Sequence, residues 1–130
     1  MTTFRLVNFG HSVESGVDTI ETMIGSPIER PWVDVPVQLD TGRSFVDQVA
    51  SLVAGVPIEQ RMWEGPLVVC LPGHPAIAAI VLAHVHGRRG SFPLVVRFTH
   101  EAGVWSPSEV IDLQGARDAS RSGRHLLPGS

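Results

Sequence analysis

The sequence predicts an α/β protein, a small Rossmann-like three-layer sandwich with a mostly parallel sheet. Three observations carry that prediction. Short apolar runs alternate along the chain with segments of helical spacing. The run at 67–71 has no polar residue, as a central parallel strand covered on both faces requires. Two of the runs, Leu6-Val7-Asn8-Phe9-Gly10-His11-Ser12 and Val68-Val69-Cys70-Leu71-Pro72-Gly73-His74-Pro75, stop at the same Gly-His pair, and each is followed by a helical pattern.

In chain order, residues 4–9 read as a buried first strand. Val17, Ile20 and Ile24 then share a helical face, with Ser12 or Ser15 as cap and Gly25 as stop. Over 32–39, Val33, Val35, Val37 and Leu39 face one way and Asp34, Pro36 and Gln38 the other; a proline in such a run marks an edge strand. Ser44 and Asp47 resemble a capping box with a shortened acid, ahead of the stripe Phe45, Val49, Leu52 and Val53, and Gly55 and Pro57 close it. After the 67–71 strand, Pro75 suits the first helical position. The helix it opens, 76–86, is expected to stop at Gly87. That helix has almost no polar face, so it is expected to be buried on more than one side, with a second copy of the chain as cover: a homodimer. Pro93 leads into a strand at 94–98, and 110–113 reads as a short final one. Residues 1–115 thus form one domain, and 116–130, rich in Gly, Ser and Arg, a flexible tail.

Composition narrows the chemistry. The chain has 130 residues, a formal charge of −3, and 43% hydrophobic against 18% charged residues, as a folded domain does. All its basic residues other than histidine are arginine. Lacking lysine, it has neither a phosphate-loop lysine nor a Schiff-base nucleophile. Its single cysteine, Cys70, lies in an apolar strand and reads as an inert buried thiol. The acidic balance argues against a long nucleic acid as partner. The apolar runs are too short to span a bilayer, and the first residues show no secretory pattern, so a cytoplasmic location without membrane is expected.

The two Gly-His turns are the candidate site. Loops at the carboxyl ends of parallel strands, where helix N-termini present free N–H groups, are where open α/β sheets bind anions. Asn8, Gly10, His11 and Ser12 from the first turn and Pro72, Gly73 and His74 from the third are the expected ligand contacts, with Arg89 added from the far end of the following helix, joining them only if its loop folds back or a second copy presents it. A phosphate-bearing ligand suits them; ordinary strand-to-helix turns are the bland alternative. His84 and His86, two apart on a helix, face different ways and make no metal site. Ser12, His11 and Glu14 lack the strand–turn–helix elbow of a hydrolase, and Gly10-His-Ser lacks the glycines of a dinucleotide fingerprint. No catalytic residue, metal or cofactor is assigned.

Taken together, Leu-Val-Asn-Phe-Gly-His, Leu-Pro-Gly-His-Pro-Ala and His-Gly-Arg-Arg-Gly-Ser-Phe-Pro resemble the small ancillary proteins of type III CRISPR systems, over roughly residues 4–98. Their folds are similar to those of the CRISPR-associated Rossmann-fold sensors. The resemblance implies a cyclic oligoadenylate ligand, cyclic tetra-adenylate first. It implies a homodimer that holds the messenger between its subunits and damps antiviral signalling. The alternatives are a metal-independent ring nuclease on the same site, with His11 or His74 as acid–base group, and a structural partner of a CRISPR complex.

Overall fold

A computed structural model of the protein describes residues 2–124. In chain order the elements are β1 (Arg5–Asn8), α1 (Val17–Ile24), β2 (Val33–Asp34), α2 (Phe45–Ala54), α3 (Gln60–Glu64), β3 (Leu67–Cys70), α4 (Pro75–Arg89), β4 (Leu94–Glu101), β5 (Val104–Asp112) and α5 (Leu113–Gly123). They build an α/β fold around one five-stranded sheet of order β2-β1-β3-β4-β5. The first four strands are parallel, and β5 returns antiparallel to β4, so the sheet is mixed.

Alternation along β1 and β3 distributes the core to two faces. Val7, Leu67 and Val69 pack with Val49 and Val53 of α2, Trp63 of α3, and Ile77, Val81 and Val85 of α4. Leu6, Val68 and Cys70 pack on the opposite face with Val17 and Ile20 of α1 and Val96 of β4. All four residues of β3 are buried, as its apolar sequence requires. Helices therefore cover both faces of β1 and β3, and their carboxyl ends emerge side by side between the layers. No helix among the described residues is long and apolar enough to cross a membrane.

Several expectations need correction. The edge strand pairs only at Val33 and Asp34, because Pro36 has no N–H to continue the ladder, although Val35, Val37 and Leu39 still lie against the core. Neither expected serine caps α1; Gly16 holds that position without a side-chain bond, and Ser44 likewise makes no cap bond to α2. Helix α4 runs through Gly87 and ends at Gly90, whose φ of +81° is the left-handed turn that the stop needs. Within one chain α4 buries a single stripe, Ile77, Val81 and Val85, and leaves Ala76, Ala79, Ala83 and Gly87 exposed. The short α3, with the buried Trp63, was not expected. Residues 116–123, expected in a flexible tail, are helical in α5, which Asp112 caps through Gly115 N at 2.9 Å; residues 125–130 of that tail lie outside the described residues.

The largest departure is at the carboxyl end of β4. That strand pairs with β3 only over Leu94–Val96, while its ladder with β5 continues to Glu101 and Val104. A two-stranded ribbon therefore projects beyond the sheet. Its tip is a two-residue turn with φ of +51° at Ala102 and +77° at Gly103, both positive as a type I′ hairpin demands. A register shift between Arg97 and Phe98 marks a bulge. The ribbon then meets α1: a Cβ on Gly16 would lie 2.8 Å from the Pro107 ring.

Candidate functional site

The sheet order reverses between β1 and β3, since the chain leaves β1 towards β2 on one side and reaches β3 on the other. Ligands of open α/β sheets bind outside the carboxyl ends of strands at such a point. Here the two Gly-His turns meet. Phe9, Gly10 and His11 after β1 and Pro72, Gly73 and His74 after β3, with Val37 and Ile77, line an open cleft of about 310 Å³. The turns touch closely, because a Cβ on Gly10 would stand 2.7 Å from the Leu71 carbonyl oxygen. Only glycine fits at that approach.

Asn8, expected as a ligand contact, instead builds the turn. It is buried, and its Oδ1 accepts from Gly10 N at 2.9 Å while its Nδ2 donates to His11 O at 2.8 Å and to Asp34 Oδ1 at 3.0 Å. Trp32 Nε1 donates to the same Asp34 oxygen at 3.2 Å. These bonds leave the Asn8 amide little to give a ligand. Ser12 lies in a neighbouring hollow with Asn8, Gly10, Asp34, Val35 and Pro36; its Oγ is 3.5 Å from Glu14 N.

His74 is both cleft wall and helix cap. Its Nδ1 accepts from Ala76 N at 3.2 Å and Ile77 N at 3.5 Å, its carbonyl accepts from Ala78 N at 2.9 Å, and Pro75 has no N–H. The N-terminus of α4, expected to offer free N–H groups to an anion, is therefore closed by its own histidine. Nδ1 is an acceptor, so the neutral ring carries its proton on Nε2, and Nε2–H is the donor left over. The Phe45 ring meets the imidazole edge-on at 5.3 Å.

His11 is held by its ring face. It stacks on Trp105 of the β4–β5 ribbon, with centroids 4.6 Å apart and planes 14° from parallel. The same indole stacks with His100, its cross-strand partner, at 4.5 Å and 22°. His11 and His100 are exposed, and Trp105 keeps 41% of its surface accessible. Neither His100, which the sequence places only in a local basic cluster with Arg88, Arg89 and Arg97, nor Trp105 is among the expected ligand contacts. The signal was Ala102-Gly103 between β-forming residues, a weaker hairpin mark than Asn-Gly.

Arg89 does not join these residues. It sits at the far end of α4, where its Nη1 donates to the Trp63 carbonyl at 2.6 Å and to the Gly65 carbonyl. Burial lowers the pKa of its guanidinium. It ties α4 to the end of α3 and contributes nothing to the cleft. Cys70 is equally remote from chemistry: burial, with the charge of Asp34 second, pushes its thiol up to about 12, so no thiolate forms near neutral pH. Among the described residues no three His, Cys, Asp or Glu side chains converge as metal ligands would.

Fold and cleft define an α/β protein with a ligand-sized opening at the carboxyl edge of its parallel strands, walled by two histidines. Compared with known protein families, curated proteins and solved structures, the chain matches none.

Proposed function

We propose that this chain is a Rossmann-like protein that binds a cyclic oligoadenylate, cyclic tetra-adenylate first, between two copies of itself and so withdraws the messenger from type III CRISPR signalling. The observation that carries the reading is the convergence of the two Gly-His turns on one cleft where the strand order reverses. His74 offers a phosphate one Nε2–H donor there, and a hydrogen bond to a charged group of this kind is worth about 1.5–3 kcal/mol. At about 310 Å³ the cleft is at the small end of ligand sites and too open to enclose four nucleotides alone. A two-fold axis would set a second cleft against the opposite side of the ring, matching the internal repetition of the ligand. The exposed Ala76, Ala79, Ala83 and Gly87 stripe of α4 suits close approach of that second copy.

Binding without turnover is the preferred form of this reading. Opening the ring requires groups that favour the transition state over the bound ground state, and donors that grip both equally do not speed the step. Incubating the full chain with labelled cyclic tetra-adenylate tests the proposal. A shifted, intact ligand supports it. Linear products that vanish in His11→Ala or His74→Ala would make the protein a ring nuclease. No association at micromolar concentrations would refute the reading.

A further inference from the structure

We infer that the ring stack of His11, Trp105 and His100, held together by the indole of the β4–β5 ribbon, is the platform on which the cleft's ligand lays an unpaired purine base. The inference rests on the proposed nucleotide ligand and adds where its bases go. The ribbon extends from the same sheet edge as the Gly-His turns, since β4 runs parallel to β1 and β3 and overshoots the sheet there. His11 belongs to both structures. It lines the cleft, and its ring face meets the indole at 4.6 Å. Trp105 is therefore one ring beyond the cleft wall, within reach of a nucleotide whose phosphate sits by the Gly-His turns.

The chemistry of the patch selects the class of ligand. Neither imidazole is held to a carboxylate among the described residues; the three rings are held by stacking and by the cross-strand register of His100 with Trp105. The indole already stacks with both imidazoles, so an added flat ring meets the exposed imidazole at an end of the stack, His11 or His100. Unpaired bases are recognised in this way, and purines offer the larger π-surface. Val104 beside it is also exposed, at 56%, which extends the apolar edge along the ribbon. A bare phosphate or a short acid would leave this surface uncovered.

The test compares full-length wild type, Trp105→Ala and Trp105→Phe for affinity to fluorescently labelled cyclic tetra-adenylate, with thermal melts to confirm folding. Removing the indole dismantles the ring stack, and the loss of base stacking is expected to weaken the alanine variant by about 10- to 100-fold. The phenylalanine variant, which keeps a stacking face, is expected to stay within several-fold of wild type. Binding by wild type that Trp105→Ala leaves unchanged, or an equal loss in both variants with the fold intact, would overturn the platform alone. Absence of binding by wild type would overturn the nucleotide reading and the platform together.

Discussion

Gly10 and Gly73 occupy the same place in two nearly identical sequence turns, yet replacing each by alanine is expected to do opposite things. A Cβ on Gly10 would lie 2.7 Å from the Leu71 carbonyl oxygen and 3.6 Å from Asn8 Oδ1. Ordinary contact begins near 3.4 Å, so the β1 and β3 turns must part by about 0.7 Å. The clash is with Leu71 O alone, and neither side of it can easily give. Leu71 O is backbone directly after β3, and Asn8 is fixed by its own bonds and by Phe9 N donating to Cys70 O at 2.8 Å. Forcing an extra methyl into such packing costs about 1–3 kcal/mol. With an unfolding entropy of about 2.1 cal/mol/K per residue, that lowers Tm by roughly 4–11 °C. Around Gly73 nothing lies within 4 Å and its φ is not positive, so Gly73→Ala is expected to leave Tm unchanged or raise it slightly. Calorimetric or circular-dichroism melts of the two variants decide the matter. A Gly10→Ala protein that melts with wild type, or a Gly73→Ala protein equally destabilised, would refute the close contact from which the cleft is built.

Two further outcomes follow from the ribbon and from α1. Ala102→Asn should stabilise the protein by about 0.5–1 kcal/mol, because alanine at φ +51° carries a left-handed penalty that Asn-Gly turns largely avoid; denaturant midpoints no higher than wild type would contradict this. Glu21 accepts from Arg30 Nη1 at 2.9 Å and from Ile28 N at 2.7 Å, and these bonds, Arg30 foremost, lower its pKa from the ordinary 4.5. Its contribution is thus complete above pH 4.5 and lost as pH falls through the lowered folded value, so the stability gap between wild type and Glu21→Gln should be present at neutral pH and close below 4.5. A gap that persists undiminished at pH 3 would exclude this linkage.

What the sequence made legible was what local patterning controls. Uninterrupted apolar character marked β3 as central, and the spacing of Val17, Ile20 and Ile24 marked α1, because each pattern has one way to be buried. Pro36 announced an edge strand for a reason contained in one residue, though not that the ladder would stop at Asp34. The convergence of Gly10-His11 with Gly73-His74 followed from reading both strands as parallel neighbours. What escaped depends on tertiary contact. Helix α3 is too short to show a period, and it exists because Trp63 is drawn into the core. The stop of α4 moved from Gly87 to Gly90 because a glycine breaks a helix only where the chain must turn left-handed. The ribbon escaped because alternation fades past Phe98 once both its faces leave the sheet, and nothing in the order of residues places Trp105 beside His11, ninety-four positions earlier.

That placement changes how the cleft can hold an anion. The usual attraction of a helix N-terminus lies in its unpaired N–H groups and dipole. In α4 the first of these is removed by Pro75 and the next two are turned inward to His74 Nδ1, so little of that grip is left for a ligand. Asn8 is spent on the Gly10 turn, and Arg89 is at the other end of the helix. Of the expected contacts, what the edge still presents is the imidazole Nε2–H at His74, the Ser12 hydroxyl in the neighbouring hollow, the nitrogen edge of His11 and the stacked rings behind it. A surface so poor in charge and so rich in flat rings discriminates by shape and stacking more than by phosphate count. Its affinity should therefore fall little between low and physiological salt, in contrast to a site that binds by arginine–phosphate pairs and releases a counterion at each.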